Sequence, residues 1–68
     1  AGGDLRKARD YALRSLEIKP DALDTRLLLA RIYIDAGMDN SAAKELDEAA
    51  KLDPRHEMVK NLKQQLAG

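Results

Sequence analysis

Residues 20–54 read PDALDTRLLLARIYIDAGMDNSAAKELDEAAKLDP, a stretch bounded by the chain's two prolines, Pro20 and Pro54, which stand 34 positions apart. Its first half carries Leu23, Leu27, Leu28, Leu29, Ala30, Ile32, Tyr33, Ile34 and Ala36, leaving only a narrow polar strip of Asp24, Arg31 and Asp35. A helix with so little polar surface needs neighbours on most sides. Asp21 followed by Asp24 resembles a capping box with an acid in place of Glu, which predicts a helix from about Asp21 to Ala36, and Gly37 supplies its stop. After the break at Ala36-Gly37-Met38-Asp39, helical spacing resumes over Asn40–Leu52. Ala42, Leu46, Ala49 and Ala50 share one side there, and Lys44/Glu48 and Asp47/Lys51 form expected i,i+4 ion pairs.

Outward from this stretch the same periodicity continues. On the N-terminal side, Leu5, Ala8, Ala12 and Leu16 recur at spacings of three and four, while Arg6, Asp10 and Arg14 make an i,i+4 charge ladder on another face; this is the pattern of a half-buried surface helix. On the C-terminal side, about Arg55 to Ala67, either Met58 or Val59 joins Leu62 and Leu66 on one stripe. Lys60, Lys63, Gln64 and Gln65 lie elsewhere, so the segment resembles a lid with a wet outer face. The short breaks at Lys19-Pro20-Asp21, at Gly37 and at Asp53-Pro54-Arg55 imply antiparallel neighbours. The expected fold is all-α, with about four helices in a single domain.

A shift of 34 positions superposes more than the prolines: Gly3 falls on Gly37, Ala8 on Ala42, Leu28 on Leu62 and Ile18 on Leu52. These are positions a helix-turn-helix repeat needs: a turn glycine, a small residue at a helix crossing and a terminating proline. Residues 23–56 resemble one complete tetratricopeptide repeat. Leu29-Ala30-Arg31-Ile32-Tyr33 stands where the family has its Leu-Gly-x-x-Tyr core, followed by Gly37, Ala42, Leu46, Ala49 and Pro54. Residues 3–22 resemble the second helix of a preceding repeat, and residues 57–68 a capping helix or the first helix of a following repeat. Arg26 stands where the family often has Trp, Ala30 replaces Gly, Leu46 replaces Phe, and Lys63-Gln64 replace Leu-Gly, which favours the cap.

Composition limits what such a chain can do. At 68 residues it holds one compact domain without room for a deep substrate cavity. Its 44% hydrophobic content beside 35% charged residues suits a packed core with a solvated shell. Twelve basic residues balance twelve acidic ones, which disfavours a nucleic-acid or anionic-membrane partner. No cysteine is present, so disulfides and thiolate chemistry are excluded and the compartment stays open. The strongly apolar run Leu27–Ile34 is broken by Arg31 and far too short for membrane insertion, and no signal-peptide pattern opens the chain.

Side chains with chemical potential do not assemble into a catalytic, cofactor or metal motif. His56 is the sole histidine, and its neighbours Asp53 and Glu57 at a helix start suit a solvated or capping role better than a metal site. Asp47 and Glu48 are adjacent and diverge on a helix, so they do not form an acid/base pair. Ser15 and Ser41 lack His and acid companions, and Gly2-Gly3 do not follow a strand as a phosphate loop would. No enzyme activity is expected.

In tetratricopeptide proteins the first helix of each repeat lines a concave groove for a peptide or partner helix. The resemblance carries this to Asp24, Leu27, Arg31, Ile34 and Asp35, with Leu27 and Ile34 holding an apolar side chain and Arg31 meeting a carboxylate or carbonyl. A structural reading competes: Arg31 pairing with Asp35, and Leu27 packing on the fourth helix. The Lys and Asn pattern that clamps chaperone tails in some members is not matched by Arg31 and Asp35. Tyr11 and Leu13 further suggest an open apolar flank on the uncapped N-terminal helix, through which a homodimer could form. Two functions therefore remain: a peptide- or protein-binding segment of a scaffold or adaptor, and an architectural or self-associating helical piece.

Overall fold

The computed structural model describes residues 3–67, which form four α-helices: α1 (Gly3–Ile18), α2 (Leu23–Asp35), α3 (Asp39–Leu52) and α4 (Glu57–Ala67). Ala1, Gly2 and Gly68 lie outside the described residues, and with them one member of the Gly2-Gly3 pair and the last residue of the 57–68 segment. Connections of three or four residues make successive helices reverse. Helix α1 packs on α2, α2 packs also on α3 and α4, and α3 packs on α4. Gly3, expected in a turn from its match to Gly37, is instead the first residue of α1.

The start of α2 departs from the capping-box expectation. The helix begins at Leu23 with Ala22 as N-cap (φ −74°, ψ 97°) and no side-chain cap bond, which leaves Asp21 one position too early in the chain to act as cap. Arg26 holds this corner. Its Nε donates to the Pro20 carbonyl at 3.1 Å and its Nη1 to Glu45 Oε1 at 2.9 Å, so one guanidinium ties the α1–α2 turn, α2 and α3 together. The pair is mostly shielded, with side chains 19% and 17% exposed. A double-mutant cycle with Arg26→Ala and Glu45→Gln is expected to give a coupling of about 1 kcal/mol in urea unfolding. Arg26→Lys should recover less than half of it, because one ammonium cannot span both acceptors.

The end of α2 follows the expectation from Gly37. Its N–H donates to the Ile34 carbonyl at 3.0 Å and that of Met38 to the Tyr33 carbonyl at 2.8 Å, the paired bonds of a Schellman motif with Gly37 in the left-handed conformation at φ +76°. A Cβ at Gly37 would meet nothing within 4 Å, so alanine there pays only the conformational penalty. Gly37→Ala is expected to lower stability by about 1 kcal/mol, and D-alanine at this position in a synthetic chain should raise it instead, both read as shifts in thermal midpoint.

The turn between α3 and α4 is built from Asp53-Pro54-Arg55-His56. Asp53 is extended (φ −151°, ψ 90°), as the residue before a proline prefers, and its Oδ1 accepts from the Arg55 N–H at 3.2 Å. His56 Nδ1 accepts from the Met58 N–H at 3.1 Å and so caps the first turn of α4, the second of the solvated or capping roles expected of it.

Two apolar clusters share α2. Leu27 and Ala30 of α2, Leu46 and Ala49 of α3, and Val59 and Leu62 of α4 form the larger, with Leu23, Ile34, Ala50 and Leu66 packed at its margin. Leu29 of α2 meets Ala12 and Leu16 of α1 in the smaller, flanked by Ala22 and Tyr33. Ala30, Ala42 and Ala49 are fully buried, as small residues must be where helices approach closely. Of the alternatives at the start of α4, Val59 enters the core and Met58 stays exposed.

Surface ion pairs differ from the i,i+4 sets expected. Among the described residues Lys51 reaches Glu48 at 3.4 Å, Asp47 reaches Lys63 of α4 at 3.5 Å, and Arg9 rather than Arg6 or Arg14 approaches Asp10, at 3.6 Å. Exposed pairs gain little from any single geometry, and Asp47 has a cation within reach on the neighbouring helix.

Candidate functional site

Helix α2 with its N-cap Ala22 presents three lengthwise strips, their members three, four or seven residues apart along the axis. Leu23, Leu27, Ala30 and Ile34 face α3 and α4; Ala22, Leu29 and Tyr33 face α1. One residue on from the first strip come Asp24, Leu28, Arg31 and Asp35, all exposed. The first three members of this strip form one wall of a groove of about 310 Å³ lined by Asp24, Leu27, Leu28 and Arg31 from α2, by His56 just before α4, and by Met58 and Leu62 of α4. The floor is apolar because Leu27 and Leu62 belong to the core, while Leu28 and Met58, 43% and 41% exposed, extend it to solvent.

Of the residues expected in a groove, Asp24, Leu27 and Arg31 come together here. Ile34 is half-buried against the margin of the larger cluster, and Asp35 is exposed at the last residue of α2; neither lines the groove. Leu27 packs with Val59 and Leu62 of α4, as its structural reading had it. Arg31 does not pair with Asp35: among the described residues neither Arg31 nor Asp24 has an ion-pair partner within 4 Å. Leu28, His56, Met58 and Leu62 were not assigned to the groove from sequence. The match of Leu28 to Leu62 under the 34-residue shift was the signal that could have found two of them.

Two other concavities are of different character. One, between α3 and α4, is lined by Ala43, Leu46, Leu66 and Ala67 and crossed by the Asp47–Lys63 pair. The other is walled by Arg26, Lys44, Glu45, Asp47, Glu48 and Lys51, without an apolar floor. Among the described residues no group of three or more His, Cys, Asp or Glu is placed to hold a metal ion, and no helix is long and apolar enough to cross a membrane.

The N-terminal helix exposes Tyr11 (68%) and Ile18 (86%) on one flank, together with Lys7 and Arg14. Leu13, expected beside Tyr11, lies about 200° away around the helix, since two residues advance it by that angle. The equivalent of Tyr11 one repeat later is Glu45, which Arg26 covers; Tyr11 has no such cover among the described residues.

Neither curated proteins nor solved structures give a match to this chain. A family model does: that of the tetratricopeptide repeat, over residues 1–66. With reversing helices in the 34-residue register and a match spanning nearly its whole length, the chain belongs to the tetratricopeptide repeat family.

Proposed function

We propose that the groove between α2 and α4 is a docking surface for a peptide or partner helix, and that the chain serves as the interaction segment of a scaffold or adaptor. Tetratricopeptide repeats are in general non-enzymatic protein-interaction modules, and the finer assignment rests on one observation. An apolar floor reaches solvent through Leu28 and Met58 directly beside an arginine that has no ion-pair partner among the described residues. A core need not leave these groups open, whereas a ligand bearing an apolar side chain and a hydrogen-bond acceptor would use both. In this reading α2 and α3 are one repeat, α1 is the second helix of another, and α4 is a cap.

The test is a comparison of bait proteins in cell lysate. Leu27 is unsuitable as a surface probe because it sits in the core, so the variant combines Leu28→Ser with Arg31→Glu, both exposed positions. A partner retained by the unaltered chain and lost with the variant, at equal helicity by circular dichroism, supports the groove. Equal recovery by both moves the binding surface elsewhere.

The flank of Tyr11 and Ile18 supports a second reading, self-association through α1 into a homodimer. It expects a mass rising toward twice that of the monomer with concentration in sedimentation equilibrium, and a monomer at all concentrations for Tyr11→Lys combined with Ile18→Glu. A unaltered chain that stays monomeric at the highest concentration removes this reading.

A further inference from the structure

The groove is electrically polar along its length. Asp24 stands in the first turn of α2 and Arg31 seven residues on, so an acidic and a basic residue sit at two positions of the same wall whose backbones are about 10 Å apart along the helix axis, at a rise of about 1.5 Å per residue. Between them the floor is Leu27 and Leu28, faced by Met58 and Leu62. Asp24 and Arg31 form no ion pair with each other, and neither has an ion partner within 4 Å among the described residues. His56 adds no acceptor through Nδ1, which is occupied by the Met58 N–H.

We propose that this groove selects an extended segment of mixed charge: a central apolar side chain over Leu28 and Met58, an acidic side chain at the Arg31 end and a basic one at the Asp24 end. This rests on the groove being the docking face. In an extended chain, alternate side chains share one face, so an acid, an apolar residue and a base at positions i, i+2 and i+4 all point toward the groove over about 13 Å. The flexible ends of Glu and Lys take up the remaining difference. A uniformly acidic segment would set one carboxylate against Asp24, and a uniformly basic one would set an ammonium against Arg31. The wall therefore discriminates by repulsion as well as by attraction.

The probes are end-blocked peptides Glu-Ser-Leu-Ser-Lys, Glu-Ser-Leu-Ser-Glu, Lys-Ser-Leu-Ser-Lys and Gln-Ser-Leu-Ser-Gln, titrated to millimolar concentration against isotope-labelled protein with backbone amide shifts as readout. The mixed-charge peptide is expected to move the amides of Leu28, Arg31, Met58 and Leu62 and to bind about three- to tenfold more tightly than the neutral one at low salt, a gap that closes at high salt. Arg31→Glu should transfer the preference to the doubly basic peptide, and Asp24→Lys to the doubly acidic one. Equal binding of all four peptides, unchanged by either charge swap but lost in Leu28→Ser, overturns the polarity while the groove stands. No shift with any peptide overturns the groove and the polarity together.

Discussion

Leu46→Ala is expected to cost the chain a large share of its folding stability. Leu46 is fully buried at the meeting of α2, α3 and α4, where it packs with Leu27, Ala30, Ala49, Val59 and Leu62. Truncating a leucine in such a position costs about 2–5 kcal/mol, from lost transfer energy and from the cavity left behind. A domain of this size is stable by only about 3–10 kcal/mol in total. The neighbours offer little relief, since Ala30 and Ala49 carry only a methyl fixed at Cβ, which cannot swing into the void. The measurement is urea or thermal unfolding by circular dichroism. A midpoint within a few degrees of the unaltered chain would mean that the three-helix cluster is not the seat of stability. Leu46→Met, which conserves volume, should cost less than about 1.5 kcal/mol.

Leu29→Ala removes the same number of atoms from an equally buried position and is expected to fail differently. Leu29 holds α1 to α2 through Ala12 and Leu16, and among the described residues α1 packs on no other helix. Losing about 2–4 kcal/mol from this small contact should release α1 while the α2–α3–α4 cluster persists. Amide hydrogen exchange would show it: protection lost across residues 5–18 and largely kept in α3 and α4. Loss of protection in all four helices together would instead mean that α1 folds as one cooperative unit with the rest. The contrast follows from linear stacking, in which each helix answers mainly to its sequence neighbours.

Both expectations bear on the groove. Its walls are α2 and the start of α4, held by the larger cluster, so a variant that releases α1 should keep the groove, and one that breaks the Leu46 cluster should lose it. Peptide binding by Leu29→Ala would separate the two clusters functionally.

The helices were legible because their periodicity and their stops are local. Gly37 announced the stop of α2, Pro54 the end of α3, and Ala42, Leu46 and Ala49, with Ala50 at its margin, the buried face of α3. The start of α2 was misread because Asp21 has the right chemistry for a cap but stands one residue too far back, a matter of how the chain turns after Pro20. Arg26 could be seen as a departure from the family's Trp; that it bridges Pro20 and Glu45 could not.

The groove shows the same division more sharply. From α2 alone, Asp24, Leu27, Arg31, Ile34 and Asp35 share one side, and the sequence determines that much through a period of 3.6 residues. Which part of that side is open depends on how α3 and α4 roll against it. Their packing draws Leu27 into the core and Ile34 to its margin, and leaves the strip of Asp24, Leu28 and Arg31, one residue round, facing α4. Periodicity is a property of each helix by itself, and so the sequence determined the helices, their stops and their 34-residue register. The rotation between helices is set by contacts among residues distant in the chain, and so only the tertiary structure decided the groove's lining, its missing ion pair between Arg31 and Asp35, and the dependence of α1 on a single neighbour.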